Sequence, residues 1–191
     1  MSGPEMSKLT FHYRGNYLGI AQRDGWEFAS RTNVNNVAVL VPVTDADEII
    51  LVEQYRIPVQ RRVIELPAGL VGDHGNPEES IFDAAQRELE EETGYAAARM
   101  KLLMACPSSA GMSDEIVEFV LATDLRRVGP GGGDDSESIE VLRIPLVRAE
   151  DWLARQLADG RLCIDYVLGA LTVHQVWTLG EDDTFAEMRM S

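Results

Sequence analysis

The chain has 191 residues, 45% of them hydrophobic, and carries 32 acidic side chains against 17 basic ones for a formal net charge of −15. That length fits one domain with a substantial core, or one domain with an added arm. The charge disfavours nonspecific contact with nucleic acid or an anionic membrane, so an anionic substrate would need local cations, either basic side chains or metal ions. No apolar run approaches the about 18 residues of a membrane span. The opening M-S-G-P-E-M lacks the basic start and apolar stretch of a signal peptide. Cys106 and Cys163 lie far apart without metal-ligand spacing, which reads as two reduced thiols in a cytoplasmic protein, with a disulfide as the alternative.

In chain order, residues 9–32 alternate apolar and polar positions around R-G-N and R-D-G turn signals, which predicts a small antiparallel sheet. V-A-V-L-V-P-V (37–43) and E-I-I-L-V-E-Q-Y (48–55) flank T-D-A-D and read as a hairpin of strands buried on both faces. P-A-G (67–69) opens an irregular loop. A helix follows and stops at Gly94, a residue suited to the left-handed position after a helix. Its start is open between Asn76 and Ser80 as cap. Ile81, Ala85 and Leu89 recur every four residues and should face the core. A short strand near Lys101–Ala105, the loop P-S-S-A-G-M-S-D-E and the strand I-V-E-F-V-L-A come next. The acidic, glycine-rich 129–138 reads as a mobile loop, followed by the strand I-E-V-L-R-I-P. Two helical stretches complete the domain: A-E-D-W-L-A-R-Q-L-A-D, stopped by Gly160, and D-Y-V-L-G-A-L-T-V-H-Q-V-W, whose His174 reads as structural. Mixed strands with interspersed helices predict an α/β or α+β sandwich. Residues 1–35 are expected as an N-terminal arm, 36–180 as the main domain and 181–191 as a tail.

The segment A-Q-R-E-L-E-E-E-T-G-Y (85–95) crowds carboxylates onto a helix, where like charges three or four residues apart repel. At 100° per residue, Glu88, Glu91 and Glu92 fall within about 100° of arc, while Glu90 points elsewhere. A solvated acidic face explains such a cluster in an arbitrary helix. An all-oxygen donor set beside Arg87, which can pair with and fix a neighbouring carboxylate, points instead to a hard cation such as Mg²⁺ or Mn²⁺.

R-E-L-E-E-E-T-G-Y, with Glu79 eight residues before Arg87, resembles the Nudix box G-x5-E-x7-R-E-U-x-E-E-x-G-U, U being a bulky apolar residue. The match holds at Glu79, Arg87, Glu88, Leu89, Glu91, Glu92, Gly94 and Tyr95. The opening departs, because the expected glycine position is Asp73 and the P-A-G glycine, Gly69, lies ten residues before Glu79, which implies about four extra loop residues. W-E-F-A-S-R (26–31), E-Q-Y-R-I-P (53–58), I-E-L-P-A-G-L (64–70) and S-S-A-G-M-S-D-E (108–115) are similar to the family's ADP-ribose pyrophosphatase branch.

The resemblance implies an α/β/α sandwich with a mixed sheet and a small N-terminal antiparallel sheet. It implies Glu88 and Glu92 as metal ligands, Glu91 as a ligand or a support behind them, the Ala68 carbonyl as a further ligand, and Arg87 as the group that orients Glu88 or its neighbours. A general base is expected in D-D-S-E-S-I-E-V: Glu137 first, with Asp135 and Glu140 as alternatives and an inert acidic loop as the bland one. Arg56 is expected to contact a phosphate, against a plain surface arginine. Trp26, with Glu27, would stack on the nucleotide base, against a core tryptophan. Arg31 would reach the nucleotide or sit on the surface. Glu65 would pair with Arg56 or bind the sugar, and Glu115 would be an outer metal ligand. The implied partner is a nucleotide-sugar substrate, and the N-terminal strands imply a homodimer. The expected reaction is metal-dependent hydrolysis of ADP-ribose to AMP and ribose 5-phosphate. The alternatives are a preference for GDP-mannose, ADP-glucose or another nucleoside diphosphate sugar, which the longer 70–78 loop keeps open, and a nucleotide-sensing module without hydrolysis.

Overall fold

The structure, a computed structural model, describes residues 7–34, 36–72, 75–133 and 138–163. In order these form β1 (Thr10–Arg14), β2 (Leu18–Arg23), β3 (Trp26–Arg31), β4 (Asn36–Pro42), β5 (Glu48–Arg56), β6 (Arg61–Glu65) and β7 (Ala68–Leu70). The helix α1 (Ile81–Glu88) runs into a π-helical turn at Leu89–Thr93, followed by β8 (Tyr95–Pro107), β9 (Ile116–Arg127), β10 (Glu140–Pro145), α2 (Leu146–Ala158) and β11 (Leu162–Cys163). The expected second C-terminal helix, His174 and the tail lie outside the described residues, as do Asp135 and Glu137.

Among the described residues three sheets form, ordered β1-β2-β3, β7-β4-β9-β8 and β10-β5-β6-β11. The first is antiparallel, as its turn signals predict. The other two are mixed, with β4 parallel to β9 and β11 parallel to β6. Strand alternation divides the core in two. Val37, Val39, Val41, Ile49, Leu51, Val117 and Phe119 meet Ala149 and Leu153 of α2 on one side. Ala38, Leu40, Ile50 and Val120 meet Ala84, Ala85 and Leu89 on the other. Every residue from Val37 to Pro42 is buried, so β4 faces apolar groups on both sides, as its unbroken hydrophobic run suggests. Helices thus cover both apolar clusters of a mixed α/β fold.

The expected hairpin between 37–43 and 48–55 does not form. β4 and β5 belong to different sheets and share only the isolated bridge Val43↔Ile49. Each is a central strand whose two edges are taken by distant partners: β7 and β9 for β4, β10 and β6 for β5. The short strand expected near Lys101–Ala105 extends over Tyr95–Pro107 because it pairs with β9 along nearly its whole length. The helix start is settled at Ser80, whose hydroxyl accepts the Asp83 N–H at 3.1 Å and donates to the Asp83 carboxylate at 2.7 Å. This reciprocal cap has the logic of a capping box. Gly160, with φ of +81°, ends α2 as expected.

Candidate functional site

Leu89 anchors the site. It is fully buried under β4, a burial worth about 2 kcal/mol, and this fixes the rotation of the carboxylate segment. Glu88 and Glu92 then face inward, at 8% and 3% exposure. Both meet the P-A-G turn. The Ala68 N–H donates to Glu92 Oε2 at 3.1 Å. The Glu88 carboxyl occupies the space beside Gly69 so fully that a Cβ there would stand 1.8 Å from it. A side chain at position 69 would therefore have to displace the Glu88 carboxyl from this place, a constraint that the position of Gly69 in the loop alone did not reveal. It also shows which glycine opens the box: Gly69 lies against the helix carboxylate despite the longer spacing to Glu79.

Arg87 links the parts. Its guanidinium donates to Glu79 Oε1 at 3.0 Å, to Glu88 Oε1 at 2.6 Å, to Glu91 Oε2 at 3.5 Å and to the Leu70 carbonyl at 3.0 Å. Burial works against its charge, but the hydrogen bond to Glu79 and the charge of Glu88 outweigh that, so its pKa is raised further above the ordinary arginine value. Glu79 in turn accepts the Gly72 N–H at 2.7 Å, which ties the lengthened loop to the helix. The expected grouping of Glu91 with Glu88 and Glu92 holds only loosely, since the Glu91 side chain is 47% exposed. After Leu89 the helix widens, and each residue turns through less than the 100° of an α-helix. Glu90 is exposed and takes a hydrogen bond from Gln86 at 2.6 Å.

The donor set is suited to a hard divalent cation: Glu88, Glu91 and Glu92 beside the Ala68–Gly69 backbone, all oxygen. Among the described residues no three or more His, Cys, Asp and Glu side chains converge closely enough, as they stand, to hold a metal ion. In these positions the carboxylates hold Arg87 and the Ala68 N–H instead.

Nearby, Arg56 binds Glu65 through both Nε and Nη2, at 2.9, 3.0 and 2.6 Å, and Gln54 donates to the same carboxylate at 3.1 Å. Glu65 is 2% exposed and needs these partners. Of the two expectations for Glu65, pairing with Arg56 is the one seen. Gln54 was not singled out from the sequence, since only the β5–β6 register places it beside Glu65.

A second group assembles where β3 meets the loop 108–115. Trp26 Nε1 donates to the Gly111 carbonyl at 3.3 Å, Ser30 Oγ donates to Asp114 at 3.0 Å, and Arg31 Nε donates to Glu115 Oε1 at 2.5 Å. Trp26 is 65% exposed, which removes the alternative of a core tryptophan. Glu27 is exposed on the same strand. The β4 register sets the two groups at one end of a sheet: Ile116 pairs with Asn36 on one side, and Leu70 pairs with Val37 on the other. Glu140 is exposed at the start of β10, opposite Glu53. Glu137, the first choice for general base, lies outside the described residues.

Comparison with known proteins identifies the family of the chain. The family model of the NUDIX domain matches residues 34–161. The chain is 32% identical over 127 residues to a methanol dehydrogenase activator of Bacillus methanolicus, covering 65% of this chain and 66% of that one. It is 41% identical over 111 residues to an ADP-ribose pyrophosphatase of Bacillus subtilis (strain 168), covering 58% and 57%. It is also 32% identical over 139 residues to a GDP-mannose pyrophosphatase of Enterobacter sp. (strain 638), covering 68% and 70%. For the first two, the match spans less than two thirds of the relative's length. A solved structure described as an ADP compounds hydrolase superposes with a TM-score of 0.68 over 95% of this chain and 97% of its own, at 22% identity, which speaks for the fold. Nudix hydrolases as a class use divalent metal, in keeping with the oxygen donors at Glu88 and Glu92. By the extent of the domain match and by the residues that build the site, the chain belongs to the NUDIX family.

Proposed function

We propose that the protein is a metal-dependent pyrophosphohydrolase that splits the diphosphate of ADP-ribose, to AMP and ribose 5-phosphate, or of a related nucleoside diphosphate sugar. One observation carries this reading: two buried carboxylates, Glu88 and Glu92, are held against the Ala68–Gly69 turn by packing and by Arg87. Burying like charges together is costly unless a cation accompanies them. Glu88 and Glu92, with Glu91 and the Ala68 carbonyl, would hold Mg²⁺ or Mn²⁺. Such a cation neutralises phosphate charge and acidifies water.

The protein's own residues do the rest. Arg87 holds Glu88 in orientation through the hydrogen bond from its Nη1. The Arg56 guanidinium, half-exposed and braced by Glu65, would contact a phosphate. Trp26 offers an open aromatic face to a base. Glu137, or failing it Asp135 or Glu140, would take the proton of the attacking water. A cytoplasmic setting, in which the half-buried Cys106 thiol stays reduced, belongs to the same proposal.

The relative named GDP-mannose pyrophosphatase supports a second reading in which the chemistry is kept and the sugar nucleotide differs. Phosphatase-coupled phosphate release from ADP-ribose, ADP-glucose and GDP-mannose, with Mg²⁺, Mn²⁺ or EDTA, separates the two. The expected result is metal-dependent turnover, fastest with ADP-ribose. Fastest turnover with GDP-mannose would select the second reading. Calorimetric binding of these nucleotides with no turnover under any metal would favour a sensing module instead.

A further inference from the structure

We infer that Thr93 and Gly131 are positioning residues for the carboxylates of the π-turn, one acting from inside the turn and one from outside. The inference rests on the proposal that Glu88 and Glu92 hold a divalent cation. Leu89–Thr93 replaces the last α-helical turn with a wider one. Such single π-turns interrupt the ordinary hydrogen-bond ladder and recur at functional sites. Something must therefore take up the displaced backbone groups and keep the turn wide.

Inside the turn, Thr93 is 1% exposed. Its hydroxyl donates to the Leu89 carbonyl at 2.5 Å and accepts the Tyr95 N–H at 3.3 Å. Outside, the segment Val128–Gly133 crosses the end of the turn as a strap. The Gly132 N–H donates to the Glu92 carbonyl at 2.8 Å, and the Gly133 N–H donates to the Glu91 carbonyl at 3.0 Å. Helix ends ordinarily leave such carbonyls to water or a cap. Here the capped carbonyls belong to Glu92, which is buried at the proposed cation site, and to its neighbour Glu91.

At Gly131 the strap lies too close to the turn for a side chain. A Cβ on Gly131 would stand 2.4 Å from the Thr93 carbonyl carbon and 2.7 Å from Gly94 N. A Cβ on Gly94 would stand 2.4 Å from the Gly129 carbonyl oxygen. Both glycines have positive φ, +69° and +76°. The strap is anchored as well, since the Gly94 carbonyl accepts the N–H groups of Val128 at 2.8 Å and Gly129 at 3.1 Å. Neither Thr93 nor Gly131 offers a ligand atom. Each acts through the backbone of its neighbours, so metal affinity is the property that reports them.

The test is calorimetric titration of Mn²⁺ into the full chain without substrate, with circular dichroism and melting curves on each variant. Thr93→Val keeps the shape and removes the hydroxyl, and Thr93→Ser restores it. Gly129→Ala is the control for the strap, because a Cβ there meets nothing within 4 Å. Groups behind metal ligands typically change affinity 10–100-fold, so Thr93→Val and Gly131→Ala should weaken Mn²⁺ binding by about tenfold or more, with Thr93→Ser and Gly129→Ala within about twofold of wild type. Equal affinity in wild type, Thr93→Val and Gly131→Ala overturns the inference. If Gly131→Ala does not fold, the Val/Ser pair at position 93 decides it alone. Wild-type protein that binds Mn²⁺ no better than Glu92→Gln overturns the reading of the site itself, a failure which that comparison separates from the first.

Discussion

Glu91 and Glu92 are adjacent in sequence, yet the fold treats them differently. Glu92 is buried against Ala68, while Glu91 reaches into solvent with only a long contact to Arg87. Glu90 is exposed and accepts a hydrogen bond from Gln86 on the outside. The three therefore separate in a mutational test. Glu92→Gln keeps size and hydrogen bonding but removes the charge, and turnover at saturating Mg²⁺ should fall by about 100-fold. Glu90→Gln should leave turnover unchanged, as measured in the same coupled phosphate assay. Near-normal turnover of Glu92→Gln would remove that residue from the site. Helical geometry read from the sequence already set Glu90 apart, because the period of 3.6 separates it from its neighbours. The different exposure of Glu91 was not legible. It accompanies the widened turn, where the Thr93 hydroxyl bonds the Leu89 carbonyl and a segment more than thirty residues downstream bonds the Glu91 and Glu92 carbonyls.

Elements show the same division between local and distant causes. The cap at Ser80, the stop at Gly160 and the turns of the N-terminal sheet are local, and the residues announce them. The strand partners of β4 and β5 are distant, and two adjacent apolar runs look like a hairpin when nothing local says otherwise. The docking of β3 onto the loop 108–115 is likewise non-local. Two backbone bonds hold it, from Ala29 N–H to the Met112 carbonyl at 2.8 Å and from Asp114 N–H to the Ala29 carbonyl at 3.4 Å, beside the side-chain bonds of Trp26, Ser30 and Arg31. Trp26 thus has two potential duties, to steady the loop and to stack on a base. Base stacking is worth about 1–3 kcal/mol, so Trp26→Ala should raise KM for ADP-ribose by roughly tenfold with kcat little changed. A fall in melting temperature with KM unchanged would assign it to the loop alone.

For the whole molecule, the distribution of apolar surface matters more than the net charge of −15. Gly19, Ala21 and Ser30 of the N-terminal sheet are buried, whereas Tyr13, Leu18 and Ile20 are 65%, 52% and 44% exposed. Tyr13 and Ile20 are register partners across β1 and β2, so these side chains form one outward apolar row. An antiparallel sheet commonly presents a polar outer face to water, and an apolar row in its place marks a contact surface. A second copy of the chain is the proposed occupant, which gives the homodimer implied by the N-terminal strands a physical basis. Sedimentation velocity at micromolar concentration should therefore report a dimer. Ile20→Lys should shift it to monomer without loss of secondary structure, because a half-exposed position on a solvent-facing strand admits a lysine without entering the core. A wild-type monomer at every concentration, or a dimer indifferent to Ile20→Lys, would place the contact elsewhere and leave the N-terminal sheet with only its role in holding the loop 108–115.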